Sequence, residues 1–181
     1  MNYESGSSRD LAYRVMVLLY RIYDLAFPGG RGMPRGFGIR KGQTVVDYGC
    51  GPGRYLREAS GLVGPRGKVY AADVNDTGLR IARKEIEKRG LANVECVKII
   101  EGRSSIPAHS ADLVYALDMF HAVRDPKAFL TEIRRIVKKN GRLILEDGHQ
   151  PRAATKWKLA ESGLWRIDSE TRRHVLCVPK R

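Results

Sequence analysis

The stretch that most constrains this chain is Val45-Val46-Asp47-Tyr48-Gly49-Cys50-Gly51-Pro52-Gly53. Val45 and Val46 are β-branched and apolar, as in a strand buried on both faces of a parallel sheet. Three glycines follow at alternate positions, and a helical pattern opens at Arg54. Glycine takes positive φ and lets a ligand approach the backbone, so the stretch reads as a tight turn beneath a bound small molecule. The dinucleotide spacing G-x-G-x-x-G is not met, because Arg54 stands where the third glycine belongs. That argues against a nicotinamide-dependent dehydrogenase.

Around this turn the hydrophobic periodicity predicts alternating strands and helices. Residues 1–9 are polar and read as a flexible terminus, with a single domain over 10–181. From Asp10, Leu11, Val15, Leu18, Leu19, Ile22 and Leu25 recur at helical spacing, and Pro28 to Gly38 reads as a loop that covers the site. Arg54 to Leu62 is a helix, Lys68 to Ala72 a strand ending at Asp73, and Asn75 or Asp76 caps a helix that stops at Gly90. Strands follow at Val94 to Ile100 and Ala111 to Leu117. Asp125-Pro126 opens a helix ended by Gly141, Arg142 to Glu146 is a fifth strand, and Arg152 to Glu161 a short helix. Leu164 to Asp168 and His174 to Val178 close the chain as a strand pair. The prediction is an α/β, Rossmann-like, doubly wound seven-stranded sheet, mostly parallel with an antiparallel last strand and helices on both faces.

Composition narrows the function. With 181 residues and 43% hydrophobic content, one core of good size is expected. Cys50, Cys96 and Cys177 are far apart and show no metal spacing, so reduced thiols in a cytoplasmic protein are expected. No apolar run near the start is long enough to span a membrane. Net charge is +13, and Arg124 to Arg181 holds 15 basic against 7 acidic residues. A field of that sign draws nucleic acid or an anionic substrate, or simply faces solvent.

The pattern D-x-G-x-G-x-G from Asp47 to Gly53 resembles motif I of class I S-adenosylmethionine-dependent methyltransferases, near the ubiquinone/menaquinone branch. Asp112 to Val123 resembles that family's fourth motif, and Val137-Lys138-Lys139-Asn140-Gly141-Arg142-Leu143 its link into the fifth strand. The resemblance implies S-adenosylmethionine as cofactor, S-adenosylhomocysteine as product, and no metal. It implies cofactor contacts at Asp47, Tyr48, Gly49, Cys50, Gly51, Gly53, Asp73, Val74, Asn75, Leu117 and Asp118. Asp73, at a strand end twenty positions past Gly53, is also placed by geometry to accept two ribose hydroxyls. A Tyr-Asp pair like Tyr23-Asp24 covers the methionine end in that family.

The chain departs from the family after the third strand. Ile100-Glu101-Gly102-Arg103 replaces a GDA-like setting, so either Glu101 with Gly102 or a backbone group meets the adenine. Asp118 and His121 are the candidate catalytic bases, with His121 alternatively packed beneath the cofactor. The expected reaction is methyl transfer to a small-molecule acceptor. An RNA or protein acceptor on the basic C-terminal third is a second reading, and a non-catalytic cofactor-binding partner subunit a third. Asp118-Met119-Phe120-His121 stands where methyltransferases of base amines carry N/D-P-P-Y/F, which argues against that chemistry.

Overall fold

Val45 and Val46 point to opposite faces of their strand and are both fully buried, as expected of a strand covered on two sides. A computed structural model describes residues 15, 17–19, 22 and 28–180. Its strands are β1 (Thr44–Tyr48), β2 (Lys68–Asp73), β3 (Val94–Lys98), β4 (Ala111–Ala116), β5 (Val137–Glu146), β6 (Trp165–Glu170) and β7 (His174–Pro179). The helices are α1 (Leu56–Val63), α2 (Asp76–Arg89), α3 (Pro126–Ile136) and α4 (Arg152–Ser162). The sheet order is β3-β2-β1-β4-β5-β7-β6. β1 to β5 pair in parallel, and β7 runs antiparallel to both β5 and β6.

One core lies between the sheet and α3 with α4, centred on Val46, Phe129, Leu130, Ile133, Leu143 and Leu159. The other lies under α1 and α2, with Val45, Leu56, Val63, Leu79, Leu113 and Tyr115. A fully buried Leu or Ile contributes about 1.5–3 kcal/mol by transfer. These two apolar layers therefore fix which edge of the sheet is left to chemistry. Asn75 caps α2 by accepting from Gly78 N at 2.9 Å, and Asp125 caps α3 by accepting from Ala128 N at 2.9 Å.

Several boundaries differ from the sequence expectation. Residues 51–55 extend the turn, so α1 opens at Leu56 rather than Arg54. β3 stops at Lys98, because Ile100 to Arg103 folds into its own tight turn with paired backbone bonds of 2.9 Å. The fifth strand starts at Val137, not Arg142, since Val137 already has ψ 136 and pairs with Ala111. Gly141 is not a helix stop: a Cβ there would lie 2.8 Å from the Ala111 carbonyl, so it lets β5 run close against β4.

The stretch read as a loop is a 3-10 helix over Pro28–Phe37. Phe37 anchors it, with its ring 5.5 Å from that of Tyr115 and 5.2 Å from that of His174. Arg142 Nη2 donates to the Phe37 and Gly38 carbonyls, at 3.1 Å each. Residues 15, 17–19 and 22 are helical, yet Val15, Leu18, Leu19 and Ile22 are exposed and Val17 is buried, so these described members of the stripe do not face the core. The expectations for residues 1–9, Asp10, Leu11, Leu25 and the Tyr23-Asp24 pair lie outside the described residues.

Candidate active site

All five strands of the parallel set end at one edge, and unmet hydrogen-bonding capacity collects there. Among the described residues, the buried side-chain polar atoms without a partner are Asp47 Oδ2, the Tyr115 hydroxyl, His121 Nδ1, Asp147 Oδ1 and His174 Nε2. Asp47 is near the end of β1, and Tyr115 is its register partner on β4. His121 follows β4, Asp147 follows β5, and His174 opens β7 opposite Glu146. Buried polar groups are ordinarily paired, so orphans gathered on one edge mark where a ligand's polar atoms belong.

The glycine turn occupies one half of this edge. Gly49, Gly51 and Gly53 have φ of 86, 52 and 82, a region closed to most side chains. At Gly49 a Cβ would come within 2.9 Å of Met119 Cγ, so the turn and the segment after β4 press together. Gly49 N and Cys50 N both donate to the Ala72 carbonyl, at 2.7 and 3.1 Å. Asp73 binds the turn from the side: its Oδ2 accepts from Gly51 N and its Oδ1 from Asn75 N, each at 2.7 Å. The carboxylate thus spans the loops after β1 and β2.

Burial sets the protonation of this half. It pushes the Asp47 carboxyl up to about 8; the neighbouring Tyr115 hydroxyl pulls the other way and the Asp73 charge adds to the rise. Asp47 and Tyr115 lie side by side but form no hydrogen bond of normal geometry. Asp73 is raised by burial, against hydrogen bonds from Asn75, Gly51 and Val74. Burial also raises the Cys50 thiol, which keeps it neutral and a poor nucleophile.

Asp118, His121 and His149 form the other half. Asp118 takes φ 50, a conformation aspartate tolerates better than most residues. Its Oδ1 is 3.9 Å from His121 Nδ1 and 3.7 Å from His149 Nε2. The two imidazoles meet edge to face with centroids 4.9 Å apart. A Cβ on Gly148 would lie 2.1 Å from His121 Nδ1, so glycine is required for that histidine to sit against the turn after β5. Glu146 is raised by burial and by the Asp118 charge, and His174 is lowered by burial and by Arg173 and Arg152.

The other residues singled out from sequence are spread more widely. Tyr48 turns its ring into the opposite core, edge-on to Phe129 at 5.4 Å. Leu117 is buried and Val74 is half-exposed beside Asp73. Glu101 and Gly102 form the tip of the Ile100–Arg103 turn, both at positive φ. They line an open groove of about 510 Å³ with Asp125, Lys127 and Arg135. A cavity of about 830 Å³ opens between α1 and α2; Pro52 and Gly53 line it, but Asp47, Asp73 and Asp118 do not. It is not where the orphaned groups point. Sequence reasoning missed Tyr115, Glu146, His149 and His174. The available signal was positional: Glu146 to His149 leave β5, the strand beside β4, whose end leads into Asp118. No helix among the described residues is long and apolar enough to cross a membrane.

Comparison with known proteins agrees with this geometry. The methyltransferase-domain family matches residues 39–173. A ubiquinone/menaquinone biosynthesis C-methyltransferase of Pasteurella multocida is 33% identical over 115 residues, covering 63% of this chain and 43% of that protein. Its Escherichia coli counterpart is 32% identical over 115 residues, covering 63% of this chain and 46% of that protein. The chain thus spans less than half the length of these curated relatives. A solved S-adenosylmethionine-dependent methyltransferase from Aquifex aeolicus superposes with a TM-score of 0.73 at 28% identity, over 80% of this chain and 86% of that one. A Methanococcus maripaludis protein shares the fold over 99% of this chain and 97% of its own, with a TM-score of 0.79 at 17% identity. The chain belongs to the methyltransferase-domain family and has the class I fold of S-adenosylmethionine-dependent methyltransferases, whose cofactor is S-adenosylmethionine.

Proposed function

We propose that this chain transfers the sulfonium methyl of S-adenosylmethionine to a small-molecule acceptor held between Asp118, His121, Glu146 and His149. The observation that carries this reading is the set of orphaned polar groups flanking the Asp73-held glycine turn. In a protein of net charge +13, this edge gathers Asp47, Asp73, Asp118, Glu146 and Asp147. Such a concentration of carboxyls suits a ligand that carries an ammonium and a sulfonium. The sulfonium methyl is already reactive, so the protein mainly aligns a nucleophile with the S–CH3 bond and excludes water. The nucleophile's electron pair forms the new bond to methyl as the C–S pair returns to sulfur.

Among the described residues, five of the fifteen basic residues of the C-terminal third, namely Arg135, Lys138, Arg152, Lys156 and Arg166, pair with acids of the same chain. Arg152 pairs with Asp147 at 2.7 Å and Glu170 at 3.0 Å, Lys156 with Glu170 at 2.7 Å, and Lys138 with Asp112 at 2.6 Å. A small acceptor is supported by similarity to C-methyltransferases of ubiquinone and menaquinone biosynthesis.

Asp118 and His121 stand where an acceptor proton would leave. Replacing either by alanine should lower turnover by about 100-fold or more while S-adenosylhomocysteine affinity holds; full turnover would remove that residue from the role. The function itself is tested with tritiated cofactor and a fractionated cell extract. Label in small molecules supports the reading, ribonuclease-sensitive label would replace it with RNA methylation, and cofactor binding without label anywhere would favour a non-catalytic subunit.

A further inference from the structure

We propose that Asp118, His121 and His149 together form a divalent-cation site, of the zinc or iron(II) class, at the acceptor end of the cofactor turn. Each offers one ligand atom, and these atoms all lie within 4.8 Å of one another. Ligand atoms around four-coordinate zinc sit about 3.3 Å apart. The Asp118 carboxylate stands 3.9 and 3.7 Å from the two ring nitrogens. Closing onto an ion therefore asks for about half an ångström between the carboxylate and each imidazole and up to about 1.5 Å between the two imidazoles, which the exposed side chains of Asp118 and His149 make without disturbing the core.

A second observation is independent of the spacing. His121 Nδ1 is enclosed and has no hydrogen-bond partner, so it is an orphaned donor or an unused lone pair, and a cation resolves the latter. Asp118 at φ 50 and the glycine demanded at 148 are two backbone departures that converge on the same three side chains. An Asp–His couple alone would explain two of them and leave His149 without a task. Two imidazoles with one carboxylate suit zinc, iron or nickel better than magnesium or calcium.

Three protein ligands leave a coordination position open. The methyltransferase-domain family does not by itself imply a metal. A hydroxyl or enol oxygen of the acceptor would bind at the open position; its O–H proton passes to water and the electron pair stays on oxygen, ready for methyl transfer. This last step rests on the transferase reading and, with the ion bound, replaces Asp118 and His121 as the groups that take the acceptor proton; the ion site itself does not rest on that reading.

The test uses tag-free full-length chain, stripped with chelator, dialysed and titrated with Co2+ while visible absorption is recorded. Binding of about one equivalent with ligand-field bands is expected, displaced by Zn2+ and weakened by more than about tenfold in both Asp118→Asn and His149→Ala. No binding, or binding that both variants keep unchanged, overturns the site. Calorimetry with S-adenosylhomocysteine on the same samples separates the two readings. S-adenosylhomocysteine binding without Co2+ binding defeats the ion site alone, and Co2+ binding without S-adenosylhomocysteine binding leaves the ion site standing while the transferase reading falls.

Discussion

Asp47 is the residue whose chemistry should change most when the site fills. Its carboxyl is held at about 8 against an ordinary value of 3.8, so the folded chain binds a proton that the unfolded chain has released between those values. Stability from this group is complete below the unfolded value and falls as pH rises toward 8. Asp47→Asn should therefore stabilise the empty protein at about pH 8 and make little difference at about pH 4, as read by urea titration. A cation beside Asp47 reverses the preference, so cofactor binding near neutral pH should release a proton that the variant does not. Calorimetry in two buffers of different ionisation enthalpy measures it; equal release from both proteins would move the ammonium away from Asp47. At this scale the glycine turn and Asp73 were legible because their spacing is local. Tyr115 and His149 were not, since one reaches Asp47 through strand register and the other reaches Asp118 from the loop after β5.

Among elements, the segment from Ile99 to Ile106 is held by two side chains on α3: Arg135 donates to the Ile106 and Ser104 carbonyls at 2.9 and 3.1 Å, and Glu132 binds Ser104. Glu132 Oε1 accepts from Ser104 N at 3.0 Å and Ser104 Oγ at 2.8 Å, and Arg135 donates to both carboxylate oxygens at 2.7 Å. Burial works to raise Glu132, but these four bonds win and hold it below the usual glutamate value. Its contribution is present above that usual value and is lost as pH falls through the lower, folded one. Glu132→Ala should cost about 3 kcal/mol, because it strips a nearly buried acid from Arg135 and two Ser104 donors. Faster amide exchange across residues 99–106 would accompany the loss. An exchange pattern unchanged in this segment would show that another contact holds it. The alternation of strands and helices was readable from periodicity, and so were the caps at Asn75 and Asp125. The start of β5 was not: Asn140-Gly141 carries the chemistry of a stop signal, while tertiary contact with β4 makes the same glycine a strand residue. Pro28 to Phe37 misled for a similar reason, since Gly and Pro report local freedom and the anchoring by Phe37 is long-range.

For the molecule as a whole, the strand order places β1 between β2 and β4, so the chain departs in opposite directions from the middle of the sheet. Ligands of open α/β sheets gather outside such a point, and both halves of the candidate site lie there. Ligand binding should then stabilise the whole domain. S-adenosylhomocysteine at a hundredfold excess over its Kd should add about 2.7 kcal/mol, or about 5–10 °C in Tm, and NADH should add nothing. The reverse result would return the turn to dinucleotide chemistry. The two halves touch through Met119, whose side chain fills the space a Cβ on Gly49 would need. A thioether is an apolar group that oxidants make polar and reductases restore. Peroxide treatment should therefore set an S=O dipole against the glycine turn and weaken cofactor binding, and Met119→Leu should keep its affinity under the same exposure. The contact that joins the cofactor turn to the acceptor wall is also the place where the redox state of its surroundings would enter the site.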